Sequence, residues 1–266
     1  VDRNIKNVIS PYEIDIFIPE KNIAIEYCGL FWHQEKLLPR KDYHLMKHRM
    51  CDEQGVRLIT IFQDEWKYKP EIVKNRLIHI LNGNKPSISA RKCEIYKIET
   101  KQARQFCEAH HIQGYASSKI KLGLFYQNNL IGVATFSKGN LTKGQKNSDS
   151  LWELSRLCFD SKYSVPGGAG KLVKHFINQY NPHKIISYAD KRWNTGNVYS
   201  SIGFDYVGDT ALNYWYIDGD KRIHRFRLRK QEHEPKDISE AELRRQEGWR
   251  RIWDCGNAKY EWINKS

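Results

Sequence analysis

Two carboxylates and a histidine lie close together near the start of the chain, in EIDIFIPEKNIAIEYCGLFWH at residues 13 to 33. Ile14, Ile16 and Ile18 alternate with Glu13, Asp15 and Phe17, the period of a half-buried strand that turns both carboxylates to one face. IPEKN supplies a turn and NIAIEYCG a second strand. On that strand Ala24, Glu26 and Cys28 share one face and Ile23, Ile25 and Tyr27 the other, so Glu26 can meet Asp15 across the pair. Two facing carboxylates repel, and a divalent cation relieves the repulsion. Oxygen ligands with few protein donors suit Mg2+ or Mn2+, whose remaining ligands are waters and phosphate oxygens. The competing reading makes Glu13, Asp15 and Glu26 solvated residues on the open face of an antiparallel pair.

The stretch continues through GLFWH into RKDYHLMKHRMCDEQGVRLITIFQDEW. An aspartate, about ten residues, a glutamate two before Cys28, then helix and strand resembles the PD-(D/E)XK nuclease core, with Cys28 where the usual lysine would stand. IEYCGLFWH followed by KDYH and RLITIFQDEW is more closely similar to very-short-patch-repair endonucleases and the phage homing endonucleases built on that core. The resemblance implies a metal-dependent DNA endonuclease. Asp15 and Glu26 would hold Mg2+ or Mn2+ against the scissile phosphate, with the carbonyl of Tyr27 as a further metal ligand. His33 would activate water or protonate the leaving oxygen, and Asp42 would orient it. The family's first glutamate sits on a helix before the first strand, and only VDRNIKNVISPY precedes Glu13. Either Glu13 substitutes or the nuclease centre is incomplete.

The bounds on any such chemistry come from composition. At 266 residues, with 40% hydrophobic and 12% aromatic content, the chain can fill two cores. Forty-four Lys and Arg against 31 Asp and Glu give a net charge of +13, which favours a polyanionic partner such as double-stranded DNA. No apolar run approaches a membrane span and no signal peptide opens the sequence, so a cytoplasmic protein without a membrane partner is expected. Cysteines 28, 51, 93, 107, 158 and 255 show neither CxxC spacing nor disulfide density, which points to reduced thiols. His44, His48 and Cys51 fall at i, i+4 and i+7 of an expected helix and could hold zinc, although no fourth ligand is evident.

The elements that would position these groups follow in order. Residues 40 to 54 read as a basic helix ended by Gly55, with Asp42, His44 and Lys47 near one face and Lys47 facing DNA. VRLITIF is a buried strand, and PEIVKNRLIHILNG a helix with Pro70 in its first turn and Gly83 past its end. This gives a nuclease core over residues 1–84, followed by a linker at 85–92. The second domain, 93–231, begins with CEIYKIE as a strand, TKQARQFCEAHH as a helix with Thr100 at its N-cap, and KLGLFYQNNLIGVATF as a hairpin turning at Asn128 and Asn129. A Lys/Gly/Ser loop, the strand LWELSRLCF, the glycine-opened helix of SVPGGAGKLVKHFINQY and the strand KIISYAD come next. The helix around NTGNVYSSIGF and the strands DYVGD and LNYWYI complete it.

Amide groups of a glycine turn at a helix N-terminus can cradle a pyrophosphate, although a purely structural turn is the commoner cause of such a cluster. Here strand, glycine turn, helix, strand and then Tyr199, Gly203 and Phe204 resemble the order of GNAT acyltransferases. ELSRLC, GGAGKL and SYADKRWNTGNVYSSIGF are also similar to the Mom family of phage DNA-modification proteins, which is assigned to that fold. The resemblance implies that Gly167, Gly168 and Gly170 contact the pyrophosphate of acyl-CoA and that Tyr199 is a general acid. YSVPGGAG lacks the Arg or Gln that usually opens the acyltransferase loop.

KRIHRFRLRK at 221 to 230 holds no acidic residue, and if extended it aligns Arg225, Arg227 and Arg229 on one face, suited to successive phosphates. The tail, 232–266, pairs the short helix SEAELRRQEG with a hairpin in WRRIWDCGNAKYEW, and its resemblance to the ending of the same endonucleases implies a complete C-terminus. The expected class is therefore α/β: a restriction-endonuclease-like mixed sheet with flanking helices, then an α+β GNAT-like domain that engages DNA, then a helix-hairpin tail. The expected function is a phage-type homing endonuclease, and the alternative is a Mom-like acyltransferase whose nuclease half has lost activity.

Overall fold

The computed structural model describes residues 1–38, 40–83, 85–139 and 150–264. The chain forms two compact units: Val1–Lys69, Asp190–Asn194 and Thr210–Asn257 build the first, and Pro70–Ala189, Thr195–Asp209 and Ala258–Ser266 the second. Among the described residues no helix is long and apolar enough to cross a membrane.

In the first unit β1 (Asp2–Ile9), β2 (Tyr12–Ile18), β3 (Ile23–Cys28) and β4 (Arg57–Phe62) make one sheet in chain order. β2 and β3 are antiparallel with Ile16 opposite Ile25 and Ile18 opposite Ile23, the register that sets Asp15 toward Glu26. β3 and β4 run parallel, from Ile23 beside Arg57 to Cys28 beside Phe62, and α1 (Tyr43–Glu53) makes the crossover. Gly55, at φ +67°, ends α1 as expected. Its N–H donates to Asp52 O and that of Val56 to Cys51 O, the paired bonds of a Schellman cap. Ile9, Ile14, Ala24, Cys51, Val56 and Leu58 form the core between sheet and helix. The N-terminal sheet is thus small and, as expected, mixed, with β1–β3 antiparallel and β4 parallel to β3.

After the short α2 (Gln63–Tyr68), the first unit resumes with β11 (Tyr214–Asp218), β12 (Lys221–His224) and β13 (Arg250–Trp253), ordered β12-β11-β13, and with α7 (Glu240–Gln246). Ser239 caps α7 by accepting the Glu242 N–H at 3.2 Å. Arg225–Leu228 is a 3-10 turn, not an extension of β12, so the extended arginine stripe is not formed. At about three residues per turn, side chains two apart point in different directions.

The second unit carries α3 (Pro70–Asn82) and a seven-stranded sheet. β5 (Glu94–Lys97), β6 (Ile120–Tyr126), β7 (Asn129–Lys138) and β8 (Leu151–Phe159) are successively antiparallel, with α4 (Thr100–His110) between β5 and β6. Glu99, not Thr100, occupies the N-cap of α4. Tyr126 pairs with Asn129, so the hairpin turns at Gln127 and Asn128, one residue before the expected pair. Both have positive φ, the geometry of a two-residue type I′ turn. Most of the expected Lys/Gly/Ser loop, 140–149, lies outside the described residues. α5 (Gly168–Tyr180) crosses to β9 (Lys184–Asp190), which runs parallel to β8; α6 (Asn197–Ser201) and β10 (Asp205–Asp209) follow. The last strand, β14 (Asn257–Ile263), enters between β10 and β9. The expected tail hairpin is therefore absent, because β13 pairs with β11 and β14 with β10. Phe136 stacks on Phe176 at 3.7 Å in a core shared with Leu122, Leu124, Trp152 and Leu172.

Candidate functional site

The two parallel strands at the centre of the second unit do not stay together. β8 and β9 pair only from Leu151 beside Lys184 to Glu153 beside Ile186. Beyond that, β8 runs on to Phe159 and β9 to Asp190, and the described residues show no further ladder between them. At the fork the buried Ser187 donates its hydroxyl to Leu154 O at 3.0 Å. A sheet that opens between adjacent parallel strands leaves main-chain polar groups facing a gap, and such groups need partners.

The chain leaves β8 and turns into α5 through two glycines with different requirements. Gly167, the N-cap, sits at φ +78°, where other residues are strained. A Cβ on Gly168 would lie 2.6 Å from the ring of Phe159, so packing requires its absence. Gly170 faces no such limit. The first turn of a helix leaves its N–H groups without intrahelical acceptors. The Gly168 N–H is taken by Val165 O, which leaves those of Ala169 and Gly170 as the natural anion donors of this turn. Lys171 is not part of that cradle, since its ammonium donates to the carbonyls of Ala90 and Cys93.

Tyr199 lies on α6, whose end explains the Tyr-x-x-x-Gly-Phe pattern physically. Gly203, at φ +85°, donates to Ser200 O, and Phe204 donates to Tyr199 O, so the motif is a second Schellman cap. The Tyr199 and Phe204 rings, 5.9 Å apart, supply the apolar contact that accompanies it. Tyr199 also stacks on Tyr260 at 5.0 Å, and its hydroxyl donates to Tyr188 O at 3.5 Å. Burial pushes its phenol above the ordinary range, so it holds its proton at neutral pH. Sequence reasoning passed over Ser187, and also Arg156 on β8, which donates to Gly114 O at 2.6 Å and whose pKa burial lowers. Their signal was their place on the two strands that fork.

In the first unit, Asp15, Glu26 and His33 come together, and both carboxylates are already engaged. Asp15 accepts the Tyr27 N–H at 2.7 Å. Glu26 is buried against Lys47, whose ammonium donates to it at 2.5 Å and to Glu13 O at 2.6 Å. Burial pushes Glu26 up to about 7 despite the lysine. Lys47, expected at DNA, is thus a buried counter-ion, only 2% exposed. Asp42 pairs with Arg40 at the surface, 2.7 Å away, instead of orienting His33. The helical trio His44, His48 and Cys51 does not converge either: His48 bonds to Lys191 O and Cys51 lies in the core. Arg225 and Arg227 on the 3-10 turn and Arg229 just past it are exposed, with Arg225 over the Tyr214 ring and Arg229 over that of Phe226.

Compared with protein families, residues 92–263 match the model of the Mom protein family. The chain belongs to the Mom protein family. This overturns the homing-endonuclease assignment and its phosphodiester chemistry, because the family that spans most of the chain is Mom and no nuclease family is found. Mg2+ or Mn2+ as the cofactor falls with it. The local physics agrees: a carboxylate pair already answered by a lysine ammonium and a backbone N–H has little call for a divalent ion. No curated protein matches the chain. Among solved structures, it is similar to a GNAT family acetyltransferase from Elizabethkingia anophelis with acetyl-CoA bound, with 14% identity, 65% of this chain and 99% of that chain covered, and a TM-score of 0.39. The ribosomal-protein-S5-alanine acetyltransferase from Vibrio fischeri gives 13%, 66%, 94% and 0.41, and a Bacillus subtilis acetyltransferase in complex with CoA gives 11%, 65%, 99% and 0.37. Likeness at that level is too low to carry a function.

Proposed function

We propose that this Mom family member is a DNA-modifying acyltransferase whose GNAT-like second unit takes acyl-CoA in the fork between β8 and β9. The observation that carries the reading is the fork itself: parallel strands that part after Glu153 and Ile186, followed directly by a glycine turn opening α5. The residues present fit such a ligand. The space that a Cβ on Gly168 would fill is already closed by Phe159, which fixes a bare backbone at the helix start. There the N–H groups of Ala169 and Gly170 would hold the pyrophosphate, with Gly167 shaping the turn. Acyl-CoA supplies an activated thioester whose acyl carbon passes from sulfur to an amine nitrogen, here an amine of a DNA base. Tyr199, protonated and pinned by Tyr260, would give its proton to the departing thiolate, and the proton that the amine nitrogen loses would pass through water to restore the phenol. Exposed Arg225, Arg227 and Arg229, in a chain of net charge +13, would meet DNA phosphates.

Calorimetric titration with acetyl-CoA tests this. Saturable binding is expected, and Gly168→Glu, which places bulk and negative charge at the turn, should abolish it. Tyr199→Phe should keep the binding while slowing transfer by roughly a hundredfold or more. No heat with the unaltered chain would remove the acyl-CoA reading.

A further inference from the structure

Cys28, His33 and His44, none of which serves the proposed acyl transfer, converge within the first unit. One ligand atom from each lies within 4.8 Å of the other two. Cys28 ends β3 and is fully buried; His44 lies in the first turn of α1 and is 3% exposed. His33 is brought in by the turn that follows β3, where its N–H donates to Gly29 O and the Leu30 N–H donates to Gln63 Oε1. The two imidazoles stack at 5.1 Å, with Tyr43 edge-on to both and Phe62 against His44.

Nδ1 of His33 is buried without a partner, and His44 turns its own Nδ1 to Cys28 Sγ. Buried nitrogens with nothing to bond are rare and ask for an explanation. A thiolate with two imidazoles is a donor set that selects Zn2+ over the hard cations Mg2+ and Ca2+. The spacing fits as well. Zn–S and Zn–N bonds of about 2.3 and 2.0 Å at a tetrahedral angle put sulfur and nitrogen about 3.5 Å apart. The observed Cys28 Sγ to His44 Nδ1 distance is 3.6 Å. His33 is half-buried, and its ligand atom lies within 4.8 Å of the other two.

We propose that Cys28, His33 and His44 form a Zn2+ site that ties the turn after β3 to α1. The site shares no residue with the helical trio read from sequence except His44, and none with the fork in the second unit.

Purified full-length protein, stripped with chelator and dialysed against Co2+, provides the test. A site of this kind gives one bound Co2+ per chain, with intense tetrahedral d–d absorption and a thiolate-to-cobalt charge-transfer band, both displaced by one equivalent of Zn2+. Cys28→Ser should remove the charge-transfer band and weaken Zn2+ binding by at least about a hundredfold, the upper end of what losing an outer-shell partner costs. Cys51→Ser, a thiol buried in the adjoining core, should leave the band intact. Unaltered protein that binds no stoichiometric Co2+ or Zn2+, or a spectrum that survives Cys28→Ser, overturns the proposal and leaves only a thiol–imidazole hydrogen bond. Acetyl-CoA titration of the stripped protein keeps this outcome separate from the acyl-transfer reading.

Discussion

Glu65 shows what a single side chain can decide. It is buried between two guanidiniums, with Arg192 Nη1 at 3.0 Å and Arg222 Nη2 at 2.9 Å. Burial alone would raise its pKa, but Arg192 and Arg222 outweigh that and hold the carboxyl at about 2. A carboxyl depressed below its unfolded value contributes stability that is present above pH 4.5 and is lost as the pH falls from there toward 2. Glu65→Gln should therefore cost about 3–5 kcal/mol near neutrality, measured by urea denaturation, and flatten the acid limb of stability below pH 4.5. An unchanged acid limb would mean that the arginines do not hold this carboxylate. None of this was legible in QDEW, because the partners lie 127 and 157 residues away in sequence. The same blindness misplaced Lys47. A lysine on a basic helix reads as solvated or DNA-facing, and only the fold reveals that Glu26 is the group it neutralises.

Elements were more readable where local chemistry sets them. The Ile alternation of β2 and β3, the glycine that ends α1 and the glycine start of α5 all follow from period and backbone freedom, and the structure contains each. KRIHRFRLRK was not readable in this way, since four residues of strand and four of 3-10 turn carry no period that separates them. The tail failed for a different reason: its two strands find long-range partners, β11 and β10, in place of each other. Gly203 offers a clean test at this scale. Its φ of +85° serves the cap of α6, while a Cβ would meet only Trp262, at 3.8 Å. Gly203→Ala should thus cost about 1–2 kcal/mol by chemical denaturation, from backbone strain alone, and leave acetyl-CoA affinity unchanged. A loss of affinity without a loss of stability would assign the glycine to the ligand instead.

For the whole molecule, the lesson concerns how a short motif weighs against a long pattern. IEYCGLFWH pulled the reading toward a nuclease, whereas the strand, glycine turn, helix, strand and Tyr-Gly-Phe order of the second half was the part that extends over the matched family. Net charge was legible from composition, but where the arginines stand on the surface was not. If Arg225, Arg227 and Arg229 supply phosphate contacts, changing all three to Ala should reduce the slope of log affinity against log salt by up to about three units, and equally for unrelated sequences. An unchanged slope would show that these three arginines make no phosphate contacts. The measurement that tests the central claim most directly is transfer of label. The protein is incubated with isotopically labelled acetyl-CoA and duplex DNA, and the DNA is then digested to nucleosides for mass spectrometry. The account predicts a labelled acyl group on a base, absent with Gly168→Glu and strongly reduced with Tyr199→Phe. Nucleosides that remain unlabelled while the protein is saturated with acetyl-CoA would contradict it.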